Sequence, residues 1–587
     1  MRNFIWTYES AVTGAGNGAR TSPNVKQNRA NAGEDKEGRF KKKVQTQPDK
    51  QPAATKRPIT KAADNGQNGH GQGNPPSRES DQAKQTVSIP RIDGSGNNLQ
   101  DNRAGAANTP FSRLAPQDKT RAPGTPTGDT LPSAREVSNA VVDSEGKSTL
   151  DPKGGSDLLW QWGQFIDHDV TLADTPNTRA GEQGESSPIS VPKGDPQFDP
   201  KGTGNKEIDF TRSSSSVDEN GNRQQTNKLT AFVDGSQVYG SDTDTANDLR
   251  AHSGGRLSTS EGNLLPTDSE GNFKAGDERV NEQPGLTSMQ TLFLREHNRL
   301  ADQYASENPD WSDDEIYQAA RGKNVAQMQA ITYNEFLPEL LGDDALPEYR
   351  GYQPNIDPSI SNEFATAAFR FGHSMVSGDI PRIDKNGNSV DGGNIDLADS
   401  FDNPEFVKQG GIESILRGQA NNPAQALDNE IDDDLRNTLF GPPGSGGLDL
   451  AALNIQRGRD HELPSYNDAR EALGVRRIES WDDPIFRGGV GEKLASVYDS
   501  PDDIDLWAGG LSETNHGDSR MGQLFTEINT RQFAALRDGD RFYYENRYSG
   551  AELEQIRETT LSDIIRRNTD VDDIQDNAFR VPDAAYA

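Results

Sequence analysis

The 587-residue chain contains no cysteine. That excludes disulfides, a thiolate nucleophile, Cys-ligated zinc and iron–sulfur clusters. Histidine is scarce at seven residues, so each can be weighed singly. No run of about 18 apolar residues is present, so no helix-type membrane span is expected. The opening MRNFIWTYES has no apolar h-region, so no secretory signal is visible in it. Strand-like alternation is also scarce, and no internal repeat is found.

Acid is in excess, with 61 Lys+Arg against 93 Asp+Glu and a formal charge of -32. This disfavours a nucleic-acid binder, which carries a basic footprint. The charge is uneven. Residues 1–86 hold 15 Lys+Arg and 8 Asp+Glu, about +7, which leaves the remainder near -39. That first segment is rich in Gly, Asn, Gln, Ser, Lys and Pro, with a basic cluster at Lys41–Lys43. It cannot bury enough apolar area to offset its ordering entropy, so a disordered polar basic tail is expected, either solvated or tethered to an anionic surface. In the rest, roughly 12 Lys stand against roughly 34 Arg and Asp is abundant, which fits solubility at high ionic strength.

Length alone allows about three or four domains. The pattern from residue 87 to 587 argues instead for one large, mainly α-helical domain with long loops and little β structure. Helical spacing runs through Ser156–Ala173, Leu286–Ser306, two helices within Trp311–Leu341, Asn362–Val376 and Ile455–Leu473. Asp313, Asp314 and Glu315 fall in a first turn, where the dipole favours acids. Thr175–Asn220, Asp384–Asp402 and Gly441–Gly447 read as low-order stretches.

Among the histidines, His70 lies in the tail, while His252 and His516 sit in polar loops. His297 and His461 fit structural charge networks. His168 stands in WQWGQFIDHD, with Gln164 on the same helical face and Asp167 and Asp169 beside it. An acidic surface turn is the alternative there. His373 follows Gly372 in AFRFGHSM, where a flat group could approach, and a neutral imidazole is a good haem-iron ligand. A satisfied core histidine is the alternative. In LTAFVDGSQVYGS, oxygen groups at Thr230, Phe232 (carbonyl), Asp234 and Ser236 form a series suited to Ca²⁺, or simply a turn. Arg279 and Glu282 precede a long helix and could be an ordinary surface pair.

Taken in order, these segments resemble the animal-type haem peroxidases of the peroxidase–cyclooxygenase superfamily. WGQFIDHD, LTAFVDGSQVYGS, RVNE with LTSMQTLFLREHNRLA, FRFGH and LAALNIQRGRDHELPSYN carry the likeness, with PRIDGSGNNL and LPSAREVSNAVV as leading segments. The resemblance spans roughly residues 87 to 550 and implies a peroxidase that reduces H2O2 to water via compound I and oxidises halide, thiocyanate or small aromatic donors. It implies haem b and Ca²⁺ as cofactors.

By that resemblance His168 is the distal acid–base, Arg279 the distal cation and Gln164 the distal amide. His373 becomes the iron ligand, and Asn454 accepts its N–H. Arg370 and Arg457 are propionate partners. Asp167 and Glu282 form ester links to haem methyls. Gln283 follows Glu282 where members with a third, sulfonium link carry Met, so that link is not expected. Asp169, Thr230, Phe232, Asp234 and Ser236 make the calcium site. Two rival readings are a fatty-acid dioxygenase, which needs a Tyr where Arg370 stands, and a catalytically silent calcium-stabilised binding or matrix protein. The family implies a place outside the cell by a route without a visible signal, with the cytoplasm as the alternative. It also implies a bacterial or archaeal branch, given the missing cysteines.

Overall fold

In the computed structural model, residues 89–125, 127–176 and 183–582 are described. The basic segment 1–86 lies outside them. Five helices carry the argument: α1 Asp157–Val170, α2 Pro284–Glu307, α3 Asp313–Ile331, α4 Leu450–Asp460 and α5 Gln523–Asp538. Strands are few and short. Thr109–Pro110, Arg223–Asn227 and Ser215–Val217 make a three-stranded antiparallel sheet. Ile189–Ser190 pairs with Glu207–Ile208, and Asp379–Ile380 with Ile395–Asp396. Several of these strands lie inside the stretches expected to be without order. The main hydrophobic core runs from Phe111 to Phe579, with a small second cluster of Leu300, Ala301, Ile316 and Ala320 between α2 and α3. No described helix is long and apolar enough to cross a membrane.

All fourteen residues of α1 are buried. A helix buried on every side must find partners for its polar residues, and that requirement puts Gln161, Gln164, Asp167 and His168 inside the protein. Helix α2 packs along α1 and α3. It starts with Pro284 at a position that needs no N–H, and Gln283 caps it by accepting from the Gly285 N–H at 2.6 Å. Ser312 and Glu315 form a capping box ahead of α3, over the acidic first turn read from the sequence.

Two helices differ from the sequence reading. Asn362–Val376 is not continuous. Asn362–Thr366 is α-helical, Ala367 leaves the helix, and Ala368–Ser374 winds as a tighter 3₁₀ segment. Arg370 repairs the break by donating Nε to the Ala365 carbonyl at 3.1 Å. Ile455–Leu473 splits into α4 and Tyr466–Ala472 because Pro464 cannot continue a helix and Glu462 takes a left-handed conformation (φ 55°). Past α3 the chain widens into a π turn at Thr332–Phe336 before Leu337–Leu341, where Pro338 has no N–H to return to Asn334.

Candidate active site

His168 sits in the last turn of α1, fully buried. Its Nδ1 stands 3.5 Å from Asp277 and its Nε2 3.5 Å from Glu282, and neither nitrogen makes a hydrogen bond. Burial pushes its pKa well below the ordinary histidine value. The Arg279 charge adds to that, and Asp277 opposes it. The ring is therefore neutral near pH 7.

Arg279 comes from a short 3₁₀ helix, Glu278–Asn281, capped by Asp277. Asp277 accepts from Arg279 Nε and Nη2, both at 2.8 Å, and Nη2 also donates to the Thr171 carbonyl at 3.0 Å. Nη1 makes no hydrogen bond and stands 3.7 Å from Asp167. Asp277 thus fixes the guanidinium while facing His168. The sequence reading missed it, although its place two residues before Arg279 is where a capping Asp belongs.

Glu282 is buried and neither carboxylate oxygen has a hydrogen-bond partner. Burial raises its pKa well above the usual range; Arg279 opposes the rise, and Asp277, Asp402 and Asp167 add to it. Gln164 belongs to a group of four glutamines. Its Oε1 accepts from Gln161 at 3.0 Å and Gln283 at 2.8 Å, and Gln161 Oε1 accepts from Gln283 and Gln419 at 2.6 and 3.1 Å. The Gln164 Nε2 has no partner. A Cβ on Gly285 would fall within 2.3–2.8 Å of three of these amides, so any larger residue there would push the glutamine group apart.

His373 lies in the Ala368–Ser374 segment, which packs against α1. Its Nδ1 is 2.7 Å from the Asn454 amide nitrogen, while Asn454 Oδ1 accepts from Arg370 Nη1 at 2.9 Å. The pairing of His373 with Asn454 was expected, but its sense is reversed: the Arg370 donor claims the amide oxygen, leaving the NH2 toward the ring. Turning the amide over would give Nδ1–H an acceptor. Arg370 donates Nε to the Ala365 carbonyl and Nη1 to Asn454. Arg457 uses Nη1 on the Thr211 carbonyl, Ser213 and Asp460, and its buried Nη2 has no partner.

Asp169, Thr230, Asp234 and Ser236 come together beside the site. Asp169 accepts from the Ser236 and Gly235 N–H groups at 2.5 and 3.3 Å, Asp234 accepts from the Ser236 hydroxyl at 2.8 Å, and Thr230 meets that hydroxyl at 3.1 Å. Phe232 is buried in the same loop. Burial and the Asp234 charge push the Asp169 carboxyl well up. Among the described residues no group of three or more His, Asp or Glu is arranged for a metal, so the loop offers two carboxylates supplemented by neutral oxygens. Asp277 N–H donates to the Gln237 carbonyl at 3.2 Å, and a Cβ on Gly276 would meet the Ser236 carbonyl at 2.1 Å. The Arg279 segment therefore lies directly on this loop.

Of the other histidines, His297 joins the Tyr239 hydroxyl and the Gly255 carbonyl, and His461 joins Ser213 and Asn362, all in the interior. His252 and His516 are exposed.

Comparison with known proteins decides the family. Residues 89–579 match the model of the animal haem peroxidases. The chain belongs to that family. It is 37% identical over 521 residues to peroxinectin A of Dictyostelium discoideum, covering 83% of this chain and 94% of that protein. It is 35% identical to lactoperoxidase of Mesocricetus auratus, covering 83% and 77%. The match to peroxidasin of Drosophila melanogaster, at 34%, spans only 36% of that longer protein. The solved structure of peroxidase A from Dictyostelium discoideum superposes with a TM-score of 0.77 at 35% identity, over 84% of this chain and 99% of that one. A fatty acid alpha-dioxygenase from Oryza sativa shares the fold, with a TM-score of 0.72 at 22% identity. This animal haem peroxidase is thus an oxidoreductase acting on H2O2 with haem as its prosthetic group, and its helical architecture is that of its structural neighbours.

The residues present fit that group. Buried polar atoms without partners are costly and rare in proteins. Several such atoms meet here, at His168, Glu282, Gln164 Nε2 and Arg279 Nη1, with Arg457 Nη2 beyond them.

Proposed function

We propose that His168 and Arg279 act on peroxide, that His373 binds the haem iron, and that the donors are iodide, bromide, thiocyanate and small phenols or aromatic amines. The observation that carries this reading is the neutral, buried His168 beside a fixed Arg279, both with unused hydrogen-bonding capacity. When bound, haem supplies the two-electron reduction of peroxide and passes the oxidising equivalents to a donor.

The chain's own part is proton management and charge. His168, kept neutral by burial, accepts the proton of the peroxide oxygen that stays and returns it to the oxygen that leaves as water. Arg279 stabilises the negative charge that develops as the O–O bond breaks. Asp277 holds Arg279 in place and lies against His168. Gln164, its oxygen occupied by Gln161 and Gln283, offers Nε2 to an anion or water. His373 would bind iron through Nε2 with its proton on Nδ1, which calls for the Asn454 oxygen toward the ring. That turn releases Arg370 Nη1, a donor only, from the amide and makes it available to a propionate. Arg457 Nη2 suits a propionate.

Asp167 and Glu282 are proposed to form ester links to haem methyl groups. Burial pushes the Glu282 carboxyl well above the usual carboxylate range, so an ester there sacrifices no solvated carboxylate. Acid–butanone extraction tests this. Haem should stay with the unmodified protein and leave the Asp167→Val, Glu282→Gln variant; ready extraction from the unmodified protein contradicts it. Asp169, Thr230, Phe232 (carbonyl), Asp234 and Ser236 are proposed to hold Ca²⁺. Because the Arg279 segment rests on that loop, stripping calcium should perturb the haem spectrum as well as lower Tm. A chelated protein with an unchanged Soret band would contradict the coupling.

The enzyme reading is tested by supplying haem and H2O2. A Soret band with peroxide-dependent oxidation of iodide and of a phenolic dye is expected. Well-folded protein that takes up no haem would overturn it and favour a silent calcium-stabilised binding protein.

A further inference from the structure

The π turn at Thr332–Phe336 places Tyr333 at the inner end of an aromatic column. Phe371, two residues from His373, has Phe369 at 5.5 Å between ring centroids, and Phe369 has Phe533 of α5 at 5.3 Å. Tyr333 lies 6.3 Å beyond Phe533, and Tyr543 5.4 Å beyond Tyr333. Tyr349 follows at 4.8 Å and is half-buried at the surface. Every step is edge-to-face contact between rings, and the three outer members are phenols. The π turn is itself notable, because such turns interrupt a helix at a cost and concentrate at functional sites.

We propose that the column Tyr333–Tyr543–Tyr349 carries oxidising equivalents from the His373 side of the site to the surface, where Tyr349 oxidises phenolic donors too bulky to enter the buried site. This rests on the peroxidase reading, since peroxide reduction supplies the oxidant. A phenol can be oxidised by losing one electron together with its O–H proton, and phenylalanine has no such proton, so Phe369 and Phe533 serve as contacts. The Tyr333 hydroxyl donates to the Phe533 carbonyl at 3.0 Å inside the protein, so Tyr333 and Tyr543 relay the electron with their protons in place and only Tyr349 gives its proton up. Burial holds the Tyr333 and Tyr543 hydroxyls well above their ordinary pKa, and Tyr349 is pushed up to about 12. Each therefore starts as the neutral phenol.

At Tyr349 the electron passes inward and the proton leaves to water, giving a phenoxyl radical. Asn546 Nδ2 donates to the Tyr349 oxygen at 2.7 Å and can keep that bond after the proton has gone. The Arg537 guanidinium lies 5.2 Å from the ring centroid and discourages a cationic ring radical, favouring loss of the proton. A surface phenol then gives one electron and one proton to Tyr349, restoring its O–H and becoming a phenoxyl radical that couples with another. Two such cycles use the two oxidising equivalents of one H2O2.

The test uses haem-loaded, full-length protein without halide, and tyramine coupled to dextran as a donor that cannot enter a buried site. The unmodified protein should cross-link the dextran on H2O2 addition. A spin trap should form an adduct on Tyr349, mapped by mass spectrometry. Tyr349→Phe and Tyr333→Phe should each lose most of the cross-linking and the Tyr349 adduct, while iodide oxidation and the Soret band persist. Retained cross-linking in both variants overturns the proposal, as does an unmodified protein that oxidises iodide but not the dextran. Failure to oxidise iodide at all would instead overturn the underlying peroxidase reading.

Discussion

The two histidine neighbourhoods are built on opposite plans. Around His373, hydrogen bonds close into a chain: the ring meets Asn454, Asn454 meets Arg370, and Arg370 meets the Ala365 carbonyl. Around His168 they stay open, with both ring nitrogens, both Glu282 oxygens, Gln164 Nε2 and Arg279 Nη1 lacking partners. The first arrangement sets the position of one ring. The second leaves buried polar capacity open to a bound group, a substrate or water, which is where reacting atoms are expected. The scaffolds differ accordingly. Helix α4, which carries Asn454, is anchored by Arg459, whose Nη2 and Nε pair with Asp505 at 2.6 and 3.0 Å. Arg121 and Tyr498 join the same carboxylate at 3.0 and 2.7 Å.

If the open side does the chemistry, His168→Ala should keep haem but lower the peroxide-dependent rate about 10²–10⁴-fold, read by stopped-flow mixing with H2O2. A loss of haem with no specific effect on rate would remove the distinction. The anchor of the closed side should appear in stability. Asp505→Ala strands two buried arginines and should cost about 3–5 kcal/mol, measured by urea unfolding.

The same carboxylate gives a pH signature. Burial pulls its pKa up, but Arg459 and Arg121, with hydrogen bonds from Arg459 and Tyr498, bring it down to about 2. A group depressed on folding stabilises above its unfolded pKa, about 3.9, and that stability drains as pH falls toward 2. Acid unfolding in this window should weaken in the Asp505 variant.

A smaller effect is expected at Asn454. Asn454→Ala should weaken haem binding or activity about 10–100-fold, with a shifted iron reduction potential. An unchanged potential would detach Asn454 from the ligand. Least costly is Gln283→Ala, which removes the donor to Gln164 and Gln161 and the cap of α2 and should cost about 1–2 kcal/mol, visible as an altered preference between iodide and bromide. Equal effects on both halides would make the glutamine group purely structural.

Much of this was legible in the chain. The buried α1 follows from its apolar spacing, and α3 from its acidic first turn. His168 and His373 stood out because histidine is so scarce. What was not legible depends on long-range partners. No local pattern brings Gln161, Gln164, Gln283 and Gln419 together from three parts of the chain. Arg370 is drawn to Asn454 and to a carbonyl freed by the helix break at Ala367, which periodicity alone does not reveal. The break at Pro464 was readable from proline chemistry, and the apolar spacing across it masked the stop. Short strands within 175–220 depend on pairing between segments, so composition described them only as loops.

The central claim is that the open polar cluster at His168 exists to handle peroxide protons. Its most direct test is the pH dependence of the bimolecular rate with H2O2 in haem-loaded protein. The acid limb should fall well below the ordinary histidine range, because burial and Arg279 depress His168, and it should vanish in His168→Ala. A limb near pH 6.5, or one that survives the substitution, would contradict the account.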